Sequence, residues 1–186
     1  MSLSQLFKTE SKRVMGIDAS TNSMAYCIFD GDKVVEYGEI FFTGADLYDR
    51  LLDAKRKVKA LKERFNCNFV AIEAAVMVRS AQTGLKMAYT FGTIMGELLE
   101  NGAKVVEIHP ITWQSFIGNK NYTAAQKAQV KKENPERSDS WIKSKIREQR
   151  KQKTLEFAKS IGVHTDSDNV GDAAGLAWYA IKNLVR

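Results

Sequence analysis

Acidic residues stand at three places where a ligand could reach them. Asp18 closes a short apolar strand, Glu73 closes a second one, and Asp172 lies near the start of the last helix. Clustered carboxylates repel one another, so a protein generally keeps them together in order to bind a divalent cation. Ligation by oxygen alone is typical of Mg²⁺ or Mn²⁺ and argues against zinc. These residue types therefore predict a metal site, provided that the fold brings them together.

Two further polar residues extend this set along the last helix. Asp168 lies four residues before Asp172 and Asn169 lies three before it, so both share its helical face. Two divalent ions held about 3.5–4 Å apart would stabilise the attacking and leaving oxygens of a phosphodiester during in-line displacement. The chemistry that this set of residues predicts is metal-dependent phosphodiester cleavage.

The hydrophobic pattern predicts the elements that must position these side chains. Three short strands joined by tight turns come first, over 14–18, 24–29 and 33–42. A helix, a buried strand, a second helix, a last strand and a final helix are expected over 45–65, 68–73, 80–100, 104–108 and 168–185. This order predicts an α/β fold with a five-stranded mixed sheet flanked by helices. The strands that Asp18 and Glu73 end are expected to be neighbours in that sheet.

The charge of the chain favours a polyanionic partner. Lys and Arg outnumber Asp and Glu by 28 to 22, and nucleic acid is the first partner that such a balance indicates. The segment from about 119 to 160 is polar at first and then strongly basic, with a helix breaker at Asn134-Pro135. A solvated helix face is the plainer interpretation, but charge of one sign equally fits a surface that contacts phosphates. Its proposed nucleic-acid contacts are Lys120, Tyr122, Lys143, Lys145, Arg147, Arg150 and Lys151.

Composition limits the class of protein. The length of 186 residues fits one domain, with 119–160 as a basic helical insertion in it. Cys27 and Cys67 lie in strand-like apolar stretches and are expected to be buried thiols in a reducing compartment. No apolar run resembles a signal peptide or is long enough to cross a bilayer, so we expect a cytoplasmic protein with no membrane partner.

Two glycines and several aromatic residues have more than one interpretation. Gly92 and Gly96 lie one turn apart in the helix over 80–100, which Asn101-Gly102 is expected to end as a C-cap. The two glycines are best explained by a close approach of this helix to the sheet or to another helix, with contact to a DNA backbone as the alternative. Tyr122, Trp141 and Phe116 could stack on an unpaired base, although Phe116 is expected in the core.

Three motifs taken together point to a family. They are GIDAS over 16–20, AIEAAVMVRSAQTGLKMAYTFG over 71–92 and GDAAGLAWYA over 171–180. They resemble the RuvC-type Holliday-junction resolvases, and most of all the versions carried by bacteriophages. The segment ITWQSFIGN over 111–119 is also similar to that family, and the resemblance extends from about residue 14 to 180.

The resemblance implies a ribonuclease-H-like fold, a homodimer and Mg²⁺-dependent cleavage of branched DNA, such as four-way junctions, by paired nicks. Asp18 would bridge the metals, with Glu73 and Asp172 as further ligands. The family has an acid or a histidine three residues before the last Asp, where this chain has Asn169. Either Asp168 or the side-chain oxygen of Asn169 would then serve as the fourth ligand.

The same family places a lysine near the scissile phosphate. Lys127, in AAQKAQV, resembles that residue. An apparent insertion follows it, so Lys153, in RKQKTLEF, is an equal candidate for the catalytic lysine.

Other functions are compatible with parts of the sequence. GIDASTNS also resembles the first phosphate-binding hairpin of the sugar kinase and actin ATPases, which hold a nucleotide between two such domains. This chain has room for one such domain and lacks a second Gly-rich phosphate signature, so no nucleotide cofactor is expected. A resolvase-like nuclease that processes RNA, and a branched-DNA-binding protein that does not cleave, remain open.

Overall fold

The computed structural model describes residues 13–74, 80–100 and 102–185. Its sheet has five strands in the order β3-β2-β1-β4-β5. They are β1 (Arg13–Ala19), β2 (Ser23–Asp30), β3 (Lys33–Phe41), β4 (Phe69–Glu73) and β5 (Lys104–Ile108). The pairs β1–β2 and β2–β3 are antiparallel, whereas β1–β4 and β4–β5 are parallel. The predicted five-stranded mixed sheet is therefore confirmed.

Six helices are present in the described residues. They are α1 (Leu47–Phe65), α2 (Ala81–Glu100), α3 (Pro110–Phe116), α4 (Ala124–Glu133), α5 (Asp139–Ser160) and α6 (Asp168–Asn183). Asp46 caps α1 by accepting a hydrogen bond from the Asp49 amide, so this helix begins slightly later than predicted. The basic segment over 119–160 forms α4 and α5, with Pro135 between them. Residues 75–79 of the second motif and Asn101 of the expected C-cap lie outside the described residues.

The two faces of the sheet are covered by different helices. Met15 and Ile17 of β1 pack in one core cluster with Val58 of α1 and Ile94 of α2. The opposite face of the sheet packs against α6, with α3 and α5 beside that helix. Because side chains alternate along a strand, every second residue of β1 faces α6.

Gly16 marks the closest approach of α6 to β1. A Cβ atom at Gly16 would lie 2.0 Å from the carbonyl oxygen of Ala173 and 2.6 Å from the amide nitrogen of Ala177. Glycine is therefore required here because no other residue leaves room for the helix backbone. Asp18 follows two residues later on the same face and is thereby directed towards the first turns of α6.

The pairing of β1 with β4 places a second acid beside the first. Gly16 is opposite Ala71 and Ile17 is opposite Ile72 in a parallel register. Continuing this register by one residue sets Glu73 next to Asp18. The prediction that these strands are neighbours is confirmed.

Some expectations about buried and exposed residues can be compared with the structure directly. Cys27 and Cys67 are buried free thiols, as predicted. No helix in the described part of the chain is long and apolar enough to cross a membrane. The expected close approach at Gly92 and Gly96 is wrong, because no described atom from outside their own stretch of helix lies within 4 Å of a Cβ built at either residue.

Candidate active site

The five residues predicted as metal ligands line one pocket. Its volume is about 860 Å³, and it lies where β1 and β4 end and α6 begins. The ligand candidates in its wall are Asp18, Glu73, Asp168, Asn169 and Asp172. The fold thus brings together residues that are separated by up to about 150 positions in the chain.

The donor types fit Mg²⁺, since they are carboxylates and one amide oxygen. In their present orientations, no three His, Cys, Asp or Glu side chains of the described residues are grouped closely enough to hold an ion together. Ligation therefore requires these side chains to turn towards a shared ion.

Burial and mutual repulsion raise the pKa values of the two most enclosed acids. The pKa of Asp18 rises to about 7, first because it is buried and then because of negative neighbours, led by Glu73. The pKa of Asp172 rises to about 8, through burial first and the charge of Asp18 second. Both acids are therefore protonated to a substantial extent near neutral pH unless a cation compensates their charge.

Glu73 is held by a buried tryptophan that sequence reasoning missed. The indole Nε1 of Trp113 donates a hydrogen bond to Oε2 of Glu73 over 2.8 Å. Trp113 is fully buried and packs on Gly175, where an added Cβ would lie 2.7 Å from the indole. Burial raises the pKa of Glu73, and the hydrogen bond from Trp113 opposes that rise. One carboxylate oxygen is thus anchored, which leaves Oε1 for a ligand.

Asn169 also has a partner that the sequence did not suggest. Its amide Nδ2 donates to Oε1 of Glu39, on β3, over 3.0 Å. The hydroxyl of Ser23 donates to the same carboxylate oxygen over 2.9 Å. A strand residue 130 positions away gives no local signal of this contact. Glu39 therefore joins the site as an additional acid.

The lysine candidates occupy different places. Lys127, on α4, lines the pocket with the acids. Lys153 has its ammonium group 5.2 Å from the centre of the Tyr122 ring. Lys151, one of the proposed DNA contacts, forms an ion pair with Asp168. Of the two candidates, Lys127 is among the residues that line the pocket and Lys153 is not.

A basic wall rises beside the acids. The segment 119–160 contains twelve Lys and Arg residues against five Asp and Glu, whereas the rest of the chain has sixteen against seventeen. Lys143, Arg147 and Lys151 are spaced four residues apart on α5, and all three line the pocket. This wall presents an excess of positive charge, which would attract a phosphate backbone.

The other proposed DNA contacts are less directly available. Arg150 donates to Oε1 of Gln114 and to the side chain of Asn119, a buried network that fixes α5 to the segment after α3. Lys145 forms an ion pair with Glu148 at 3.3 Å. Lys120 is exposed. Arg150 thus has a structural role in addition to lining the pocket.

The aromatic candidates are partly covered. The Tyr122 hydroxyl donates to Gln149 over 3.0 Å, and Lys153 lies over its ring. The guanidinium of Arg137 lies 5.2 Å from the Trp141 ring. Phe116 is 43% exposed, so its expected place in the core is wrong. A base that stacks on the face of Tyr122 or Trp141 where these cations lie would have to displace them.

Comparison with known proteins identifies relatives. A family model described as crossover junction endodeoxyribonuclease RuvC matches residues 14–133. The protein of that name from Fusobacterium nucleatum is 29% identical over 124 residues, covering 63% of this chain and 64% of that protein. The one from Akkermansia muciniphila is 24% identical over 123 residues, covering 63% and 72%. The chain thus matches about two thirds of the length of these relatives.

Solved structures extend the likeness through α6. RuvC from T. thermophilus in complex with Holliday junction substrate has a TM-score of 0.67 at 15% identity, covering 94% of this chain and 98% of that one. The yeast mitochondrial Holliday junction resolvase Ydc2 has a TM-score of 0.53 at 13% identity, covering 92% and 80%. At these identities the likeness establishes the fold, and the predicted ribonuclease-H-like α/β fold is confirmed.

The raised pKa values predict that the metal-free protein loses stability as the pH rises. The pKa of a model aspartate is 3.8, whereas those of Asp18 and Asp172 reach about 7 and about 8 in the fold. The folded chain therefore binds more protons between these values, and its free energy of unfolding should fall from about pH 4 to about pH 8. At pH values above about 8, the Asp172→Asn protein should have a melting temperature a few degrees higher than that of the original chain. A change of 1 kcal/mol in the free energy of unfolding corresponds to about 2–4 °C.

This stability effect is measured by thermal unfolding in a chelator across the pH range. Asp166→Asn is the matched control, because Asp166 is exposed in the loop before α6. It should leave the melting temperature unchanged. If the melting temperature of the Asp172→Asn protein depended on pH as that of the original chain does, the proposed cost of burying the Asp172 charge would be contradicted.

Trp113→Phe tests the anchoring of Glu73. The substitution keeps most of the buried ring but leaves one Glu73 oxygen without its donor. We expect affinity for Mn²⁺ to fall by about 10–100-fold, the usual effect of losing a hydrogen bond to a metal ligand. Calorimetric titration of the metal-free protein measures it.

Trp178→Phe is the control for the Trp113 experiment. It makes the same change at a ring that packs 5.5 Å from Phe29 in a different core cluster. Mn²⁺ affinity should be unchanged in this control. Equal affinities in both variants would show that Trp113 serves packing alone.

Proposed function

Because the chain belongs to the RuvC family of crossover junction endodeoxyribonucleases, we propose that it cleaves phosphodiester bonds in branched DNA and takes four-way junctions as its substrate. The observation that carries this proposal is the meeting of Asp18, Glu73 and Asp172 in one pocket beside a basic helix. The relative from T. thermophilus with the same fold was solved with a Holliday junction substrate, which supports the same class of DNA for this chain.

We assign Asp18, Glu73 and Asp172 as ligands of Mg²⁺, for which Mn²⁺ can substitute, with Asp168 or Asn169 completing the set. When bound, such ions activate a water and stabilise the charge that develops on the phosphate during in-line displacement. Asp18 lines the pocket with the other two acids and, as the family resemblance implies, would be the ligand shared by the ions. Glu73 enters with one oxygen already fixed by Trp113, which lowers the entropy lost when its other oxygen binds.

The basic residues would hold the DNA. Lys143 and Arg147 would contact backbone phosphates along the pocket wall, a type of contact that positions DNA without reading its sequence. Lys127 would neutralise charge on the phosphate at the acids, with Lys153 as the alternative. Lys151 would exchange its ion pair with Asp168 for a phosphate when DNA and metal enter.

Paired nicks in a four-way junction require two active sites, and we propose a homodimer through an exposed face of α2. Leu85, Tyr89 and Leu99 are 53%, 44% and 56% exposed, and they share this face with Gly92 and Gly96. The open space at both glycines would let a second copy of the helix approach closely. An apolar stripe of this kind is more typical of an interface than of a solvated surface.

Two other functions make different predictions. A resolvase-like RNA nuclease would cut structured RNA in preference to branched DNA, and a binding protein would hold junctions without cutting them. The buried acids favour a cleaving enzyme, since repulsion of this kind has no use in a binding surface. We propose that the nuclease acts inside the cell, in the cytoplasm, which would be that of the host if the protein is encoded by a phage.

The central test is cleavage of a synthetic four-way DNA junction. Purified protein should nick it when Mg²⁺ or Mn²⁺ is added and should cut flaps, linear duplex and RNA less well. Asp18→Asn should abolish cleavage while leaving junction binding in place, because it removes one of the assigned metal ligands but none of the basic residues. Denaturing electrophoresis of end-labelled strands measures the nicks.

The same experiment separates the alternatives. Asp166→Asn, in the exposed loop, should cleave like the original protein. Binding of the junction without cleavage in either metal would support the non-cleaving protein, and faster cutting of RNA would support the RNA nuclease. Full activity of Asp18→Asn would refute the assigned site.

The dimer is tested by Gly92→Gln. Glutamine favours a helix more than glycine, so the single chain should remain folded while its bulk prevents close approach of a second α2. Light scattering should give twice the mass of the 20.9 kDa chain for the original protein and a single-chain mass for the variant. Lys86→Gln, on a neighbouring face of α2, should remain dimeric. A monomeric original protein would contradict the proposed interface.

A further inference from the structure

We propose that Glu39 is a positioning residue, which turns the side-chain oxygen of Asn169 towards the metal so that Asn169, not Asp168, completes the ligand set. The inference rests on the proposed function of the site. It concerns a residue of the edge strand β3 that belongs to none of the three sequence motifs.

The contact between Glu39 and Asn169 fixes which way the amide faces. Oε1 of Glu39 lies 3.0 Å from Nδ2 of Asn169. A carboxylate only accepts hydrogen bonds, so the amide must present its nitrogen to Glu39 and not its oxygen. Oδ1 then lies on the other branch of the amide and is free to face the pocket that Asn169 lines with Asp18.

Glu39 is itself held in place from two elements. The Ser23 hydroxyl, on β2, donates to Oε1 over 2.9 Å, and Ser23 is only 8% exposed. The hydroxyl of Ser167, the N-cap of α6, lies 3.4 Å from Oε2. These contacts tie the carboxylate both to the sheet and to the start of the helix that carries Asn169. A glutamate that only makes the surface polar would not need hydrogen bonds of this kind to hold it in place.

The lack of charge on Asn169 explains why an acid beside it, Glu39, would favour metal binding. The related resolvases have an acid or a histidine at this place, whereas an asparagine brings an oxygen donor but no charge. Glu39 supplies a negative charge beside it and orients its oxygen, as carboxylates commonly do for the ligands of metals. Its charge is also one of the causes that raise the pKa of Asp18, which places Glu39 within the field of the site.

Asp168 is the weaker fourth ligand for a geometric reason. Its carboxylate is engaged by the ammonium group of Lys151, on the more open side of the pocket. About a third of its side chain is exposed, so solvent already stabilises its charge. Asn169, by contrast, is held through its amide nitrogen, which donates to Glu39, and its side-chain oxygen takes no part in that hydrogen bond.

The test is a cycle of four proteins titrated with Mn²⁺ in the absence of DNA. They are the original chain, Glu39→Gln, Asn169→Asp and the double variant. With Asn169 present, Glu39→Gln should weaken Mn²⁺ binding by about 10–100-fold. The Gln side chain can donate to Oδ1 of Asn169 as well as accept from its Nδ2, so the amide of Asn169 is no longer held in one orientation. With Asp at 169, Glu39→Gln should instead strengthen binding, since the Gln amide can donate to the new carboxylate that Glu39 would repel.

The opposite effects of Glu39→Gln on Mn²⁺ affinity in the two backgrounds distinguish a residue that orients Asn169 from one that only adds negative charge. If Glu39 acts only through its charge, its loss should weaken binding in both backgrounds, and that result would overturn the proposal. No effect in either background would also overturn it. Ser23→Ala, which loosens Glu39 without touching Asn169, should give a smaller loss of the same sign as Glu39→Gln.

Glu36→Gln is the matched control on the same strand. Glu36 faces Arg64 of α1 at 4.0 Å, on the opposite side of the sheet, and its loss should leave Mn²⁺ affinity unchanged. Melting temperatures in chelator verify that each variant is folded. Because the titration uses no DNA, failure to cleave junctions would reject the proposed function alone, and an absent reversal in a cleaving protein would reject only the role of Glu39.

Discussion

The close packing of α6 on β1 is the constraint on which the site depends. At Gly16 the helix backbone occupies the volume where any other residue would place its Cβ, 2.0 Å from the Ala173 carbonyl oxygen. This contact sets the depth at which the first turns of α6 meet the strand ends. A helix displaced outward by one methyl group would carry Asp172 away from Asp18. The spacing of these two acids is therefore a result of core packing.

The close packing of α6 on β1 also brings the acids of the site close enough to repel one another. Acids that are drawn into a buried pocket lose hydration and repel one another, so their pKa values rise. Neighbouring residues hold individual side chains of the site in place through hydrogen bonds. Trp113 holds Glu73 from the core side, and Glu39 holds Asn169 from the edge strand. A site of this kind is less stable than an apolar core, and a bound cation would relieve the repulsion among its acids.

Local patterns in the sequence were sufficient for the fold and for the principal acids. Strand periodicity located β1 and β4, and the parallel order of these strands made the neighbourhood of Asp18 and Glu73 predictable. Contacts that depend on tertiary register were not predictable, because residues such as Glu39 and Asn169 are 130 positions apart. The interpretation of Gly92 was wrong for a related reason: the sequence of a helix does not show which of its faces the rest of the chain covers.

The uneven distribution of charge has a consequence for how DNA would arrive. Nearly all of the excess positive charge lies in α4, α5 and the residues that flank them, while the rest of the chain is almost neutral. The molecule therefore carries a strong electric dipole whose positive end borders the acids. In the field of a polyanion such a dipole turns during diffusion, so that encounters begin with the pocket facing the DNA and not with a random orientation.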